Sequence, residues 1–297
     1  MKRDRLKPHV YKVQGAVNFA FYDMLKGTFY QFTPDGSVQD LRRYLLDEGL
    51  IFETEGIVPN NIIADGLRET QKNINLRVLQ IRLNGREEDN CLNRTKTKNV
   101  KQVMQYKVLN KIMAECRFIP IETIRIEAED DDKEMIGAVL RGFDCSSVEL
   151  NIDNPPPDTD MALYSAMCAK RKITFSANVR KNPKELKVTI FNFFYNRNYN
   201  PCLGHQAAVD TGGEIKSCLW SDDVLGNIID QNLKDLIISG AFDKYWELAK
   251  SKIDFCKDCE LRFACGDCRV LALSRSGHIS AKPPYCNYNP HTGRGTL

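Results

Sequence analysis

Cys256, Cys259, Cys265 and Cys268 set four thiols within thirteen residues, in the spacing C-x2-C-x5-C-x2-C. Cys202 and Cys218 precede them and Cys286 follows, so seven of the eleven cysteines fall in the last third of the chain. Each thiol must lose a proton to act as a ligand, and crowded thiolates repel one another. A bound metal relieves both costs.

Three chemistries compete for these residues. Disulfides are one, but the opening MKRDRLKPHV holds no apolar run of signal-peptide type, and a cytoplasmic chain keeps its thiols reduced. Structural zinc is the second, and paired C-x2-C knuckles are its usual donors. Here only five residues separate the pairs, fewer than the strands of a zinc ribbon occupy. The third is iron–sulfur, for which closely spaced cysteines followed by a remote one are the usual pattern. The spacing favours iron–sulfur, with zinc left open as the alternative.

The order Cys202, Gly213, Cys218, Leu225-Gly226-Asn227, the four central cysteines and then Cys286 resembles the SPASM domain of radical S-adenosylmethionine peptide-modifying enzymes. The resemblance covers about a third of the chain and implies two auxiliary [4Fe-4S] clusters held by seven cysteines in this order. One departure is visible: two residues, Gly266 and Asp267, separate the last pair where the family has three. Carried over residue by residue, the resemblance gives Cys256, Cys259, Cys265 and Cys286 to one cluster. It gives Cys202, Cys218 and Cys268 to the other, which is one ligand short. His205 stands three residues after Cys202 and is a candidate for that place, although a lone histidine is more ordinarily a polar loop residue.

The elements that must position these ligands follow from periodicity. Residues 9–33 alternate as strands, and Ser37 is a candidate N-cap for a helix through Val38, Leu41, Tyr44 and Leu45 that Gly49 ends. Residues 50–57 return to an extended segment. Residues 76–83 read as a first central strand, and Val100, Val103, Met104, Val108, Ile112 and Met113 recur at helical spacing. Residues 123–128, 148–152, 173–179 and 188–194 read as further strands. Helices over 131–143 and 158–172 intervene, the first with Asp131 and Glu134 at capping-box spacing. Strand and helix alternating at this pitch predict a parallel sheet. Residues 224–249 carry apolar positions at helical spacing, and Cys116, Cys145 and Cys168 read as small buried residues.

The fold class expected is α/β. Residues 1–59 form a small α+β module, 60–200 a partial (β/α) barrel of the radical S-adenosylmethionine type, and 201–297 the cysteine-rich SPASM domain. The first module resembles, by pattern, the winged-helix-like elements that recognise leader peptides. The family's C-x3-C-x2-C loop is missing: upstream of Cys202 stand only Cys91, Cys116, Cys145 and Cys168, each more than twenty residues from the next. S-adenosylmethionine is therefore not expected as a cofactor. Gly212-Gly213-Glu214 resembles a cofactor-binding motif of that family but lies inside the SPASM segment and reads as a turn.

The whole resembles the SPASM maturation proteins of grasp-with-spasm peptide systems, which implies a precursor peptide and an ATP-grasp ligase as partners. On that reading the protein is a non-radical, peptide- or partner-binding component. A redox enzyme acting on a peptide through its clusters and a zinc-stapled interaction module are the alternatives. Net charge of +3 gives no argument for nucleic acid, the lysines after residue 100 read as a solvated helix face, and no run reaches the ~18 apolar residues of a membrane span. A cytoplasmic, ordinary globular protein is expected from 42% apolar and 27% charged residues.

Overall fold

A computed structural model describes residues 3–34, 38–54, 75–85, 101–154, 172–176, 186 and 188–295. Two compact units interleave along the chain: Met1–Lys72 with Asn182–Cys202 and Leu248–Leu297, and Asn73–Lys181 with Leu203–Glu247. Among the described residues no helix is long and apolar enough to cross a membrane.

In the first unit β1 (Arg3–Leu6) pairs antiparallel with β5 (Ile51–Thr54), and β2 (Val10–Gln14), β3 (Phe19–Asp23) and β4 (Thr28–Phe32) form an antiparallel meander. The turn after β3 is fixed by the Asp23 carboxylate, which accepts the Leu25 and Lys26 amides at 3.0 Å. The helix Val38–Asp47 ends at Gly49, whose φ of 67° is open to glycine at little steric cost. Its proposed cap, Ser37, lies outside the described residues.

Strand β3 is buried along its whole length. Successive side chains on a strand point to opposite faces, so Phe19 and Phe21 join Val10, Leu45, Leu50 and Ile51 in one core. Ala20 and Tyr22 turn the other way, into a second core with Val13, Met24, Phe193, Phe194, Cys259, Leu261, Ala264 and Tyr288. The opening strands and the cysteine segment are thus packed around common side chains.

The strand expected over 188–194 is a helix, Ile190–Asn198. Thr189 caps it, accepting the Asn192 amide at 3.0 Å. Consecutive residues on a strand would face apart, whereas Phe193 and Phe194 both enter the same core, and Phe193 packs 5.1 Å from the rings of Tyr11 and Tyr22. Tertiary packing overrides the β preference of the aromatic run.

The second unit is built on a sheet in the order β10-β9-β8-β6-β11-β12-β13. β6 (Leu76–Gly85), β8 (Ile121–Asp130), β9 (Cys145–Asn154), β10 (Lys172–Ser176) and β11 (Gln206–Val209) are parallel, and β12 (Glu214–Lys216) and β13 (Val224–Asn227) continue it antiparallel. This mixed α/β unit with a parallel sheet agrees with the alternation read from the sequence. The expected helix over 158–172 falls on residues outside the description, apart from Lys172, which opens β10.

Three expectations here are corrected. The helix from Val100 starts only at Tyr106 and runs to Cys116, because Gln102–Val103 form a short strand, β7, paired with the end of β6. The helix after β8 spans Lys133–Gly142, and its cap is Asp132, which accepts the Met135 amide at 3.0 Å. The segment 224–249 opens as strand β13 before the short helices Leu233–Ile238 and Asp243–Trp246. Pairing of Gly226 with Ile215 holds it extended. Gly213, with φ 86°, makes the turn between β11 and β12 that was read for Gly212-Gly213-Glu214.

Candidate metal centre

The cysteine segment has little regular structure, so backbone turns and buried charges position its thiols. Phe255 takes φ 61°, a left-handed conformation that is rare for an aromatic residue and persists only where surroundings fix it. A 3-10 turn follows at Cys256–Asp258. The Cys259 amide then donates to the Cys256 carbonyl at 3.1 Å, and the Cys265 amide to Leu261 at 3.0 Å. Residue Cys265 also forms a backbone bridge with Leu186. Cys268 caps the helix Arg269–Ser276 by position, its own amide donating to Asp267 Oδ1 at 2.8 Å. The Cys286 amide donates to the carbonyl of Pro283, the second residue of the tail's Lys282-Pro283-Pro284 run, at 3.1 Å.

Cys265 adds to the rise in pKa of Cys256 and of Cys259, Cys256 adds to that of Cys259, and Cys286 to that of Cys265. Burial is the larger cause: it pushes Cys256 up to about 11 and Cys259 up to about 12. Without metal these groups are neutral thiols, and ligation must release their protons. Cys202 and Cys268 belong to the first unit and Cys218 to the second. Among the described residues the cysteines are unbridged. Nor does any group of three or more His, Cys, Asp or Glu there converge closely enough to hold a single metal ion. Cys91 and Cys168 lie outside the described residues, while Cys116 and Cys145 are buried, as read from their apolar surroundings.

Buried charge lies beside Cys256, Cys265 and Cys268. Asp267, 6% exposed, accepts from Arg269 Nη2 at 2.6 Å and from Asn200 at 3.2 Å, while Arg269 also donates to the Ile279 and Ala281 carbonyls. Lys250 is 1% exposed with its ammonium 3.6 Å from Asp267. Lys250 Nζ, Arg269 Nε and the Tyr285 hydroxyl are buried and, among the described residues, have no hydrogen-bond partner. Orphaned donors beside buried thiols suit an anionic group, because buried polar atoms are otherwise nearly always satisfied. The donor set of soft sulfur ligands with cationic surroundings fits an iron–sulfur cluster.

His205 belongs to the second unit, its backbone at φ 48° and its ring 5.0 Å from that of Trp246. Burial and, after it, the Arg77 charge lower its pKa, which favours the neutral imidazole.

A second feature of the second unit was missed in the sequence. Gln80 and Arg82 on β6, Arg125, Glu127 and Glu129 on β8, and Asn151 on β9 alternate with Leu79, Ile81, Ile124, Ile126, Leu150 and Ile152. Arg125 donates to Glu149 at 2.5 Å and Asn151 to Glu127 at 2.8 Å across neighbouring strands. Parallel strands covered by helices on both sides read as continuous apolar runs. Strict alternation in three of them was the available signal for a polar face. At the carboxyl ends of β6 and β11 a small cleft is lined by Arg82, Gln102, Asp210, Lys216, Trp220 and Asp222. Burial opposes the charge of Lys216, but Glu214 at 2.9 Å and Asp210 at 3.1 Å outweigh it and raise its pKa.

No family model and no curated protein matches the chain. Among solved structures it is similar to native anSMEcpe with bound AdoMet, with a TM-score of 0.39 and 11% identity over 73% of this chain and 94% of the other. BtrN in an open conformation gives a TM-score of 0.37 and 16% identity over 62% and 92%. SuiB of Streptococcus suis, bound to its precursor peptide SuiA, gives 0.32 and 9% over 95% and 99%. At such low TM-scores none of these likenesses bears on what this chain does.

Proposed function

We propose that the chain is an iron–sulfur protein of SPASM type that takes part in maturing a ribosomally made peptide. The observation that carries this reading is the C-x2-C-x5-C-x2-C spacing with Cys286 beyond it, beside buried donors that lack a hydrogen-bond partner among the described residues. Cys256, Cys259, Cys265 and Cys286 would hold one [4Fe-4S] cluster, and Cys202, Cys218 and Cys268 the other. When bound, such clusters supply one-electron chemistry and a rigid anionic anchor. With no C-x3-C-x2-C loop in the sequence, the chain acts as a non-radical component that binds a leader peptide and an ATP-grasp ligase, with the partial barrel over 60–200 as scaffold. The opening strands, residues 1–59, would present a sheet edge for strand addition by the peptide.

Anaerobic iron and sulfide analysis tests this. About eight irons and about eight sulfides per chain are expected from two four-iron clusters. Stoichiometric zinc without sulfide would sink the reading and leave a zinc-stapled module. Formation of 5′-deoxyadenosine under reducing conditions would overturn the non-radical role. The polar sheet face and its cleft favour a second reading, a redox enzyme that holds a polar substrate there. Oxidation of the reduced clusters on adding precursor peptide would select it.

A further inference from the structure

We propose that Lys250 is the charge partner of the cluster assigned to Cys256, Cys259, Cys265 and Cys286, holding its sulfur ligands and raising its reduction potential; this rests on the iron–sulfur reading above. The 3-10 turn Lys250–Lys252 leads directly into the cysteine segment, where the Lys257 amide donates back to Ile253 at 2.9 Å. Lys250 itself is buried, with 1% of its surface exposed. The charged and titratable groups that face its ammonium are Asp267, Cys265, Cys256 and Arg269.

Asp267 is already spoken for. Its Oδ1 accepts Arg269 Nη2 at 2.6 Å and the Cys268 amide at 2.8 Å, and its Oδ2 accepts Asn200. The lysine stands further off, at 3.6 Å, and makes no hydrogen bond among the described residues. Two buried cations therefore share one carboxylate, and Lys250 is the surplus charge. A buried ammonium without hydrogen bonds is costly in a metal-free protein. An anionic thiolate cluster beside it offsets that cost, and positive charge near a cluster favours the reduced, more negative state.

Full-length wild type, Lys250→Met and Lys250→Arg, purified anaerobically, are compared by iron and sulfide content. Midpoint potential is followed by electron paramagnetic resonance, and thermal stability is measured in the loaded and chelator-stripped forms. Lys250→Met is expected to lose iron or to lower one midpoint by at least a tenfold shift in the reduction equilibrium, about 59 mV for a one-electron couple. The stripped Lys250→Met chain should be as stable as stripped wild type or more so, and Lys250→Arg should behave as wild type. Full iron with an unchanged potential overturns the proposal, as does an equal loss of stability in both forms or failure of Lys250→Met to fold in either, which would make Lys250 a packing partner of Asp267. Absence of sulfide from wild type removes the iron–sulfur reading itself and is told apart by that measurement alone.

Discussion

The hydroxyl of Tyr22, in the middle strand of the opening sheet, donates to the main-chain carbonyl of Glu260, the residue after Cys259, at 2.8 Å. Around it, Gln31 and Tyr288 both donate to Glu260 Oε1 at 2.5 Å, and Asn18 donates to Tyr288 at 2.9 Å. The opening strands and the segment at Cys259 are thus tied by one hydrogen-bonded network centred on Glu260.

Tyr22→Ala should cost about 3 to 5 kcal/mol, as for truncating a buried aromatic side chain. Tyr22→Phe should cost about 1 to 3 kcal/mol by leaving the Glu260 carbonyl without its donor. Denaturant unfolding gives both values. Thiol labelling of the metal-free protein should show Cys259 becoming reactive in the Ala variant, and an unlabelled Cys259 would mean the network does not hold it.

Cys259→Ala should remove about half of the iron, the share of one four-iron cluster of two. Cys116→Ala, at a buried thiol on the helix Tyr106–Cys116, should leave iron unchanged. Unaltered iron in Cys259→Ala would refute its assignment as a ligand.

Cys265 and Cys268 are three residues apart but assigned to different clusters. Alanine at each should therefore abolish a different signal in the electron paramagnetic resonance spectrum of the reduced protein. Identical residual spectra would point to one site and end the interleaved assignment.

His205→Asn tests the half-buried imidazole without disturbing its left-handed backbone, which asparagine tolerates. Because the folded pKa is depressed below 6.5 by burial and by Arg77, the neutral ring contributes stability above about pH 6.5. That contribution is lost as pH falls through the folded value. At pH 8 the variant should be less stable by about 0.5 to 1.5 kcal/mol, the worth of the ring contact with Trp246. The gap should narrow as the solution is acidified. Parallel pH profiles for the two proteins would show that His205 does not titrate on unfolding, and loss of iron in the variant would make it a ligand.

What the sequence determined is local. The spacing of Cys256, Cys259, Cys265 and Cys268 was legible because residues close in the chain remain close in space whatever surrounds them. Strands β6, β8 and β9 were legible because period-2 alternation reports the two faces of a strand directly. The helix Ile190–Asn198 was misread, since an aromatic run satisfies both periods and only the core around Tyr22 chose between them. Tertiary structure alone brought Tyr22 to Glu260 across 238 positions, and it alone buried Lys250 among thiols. A lysine reads as a surface residue in any local window. Its burial follows from long-range packing that joins Asn200, Asp267 and Arg269 around it, and such contacts leave no periodic trace in the chain.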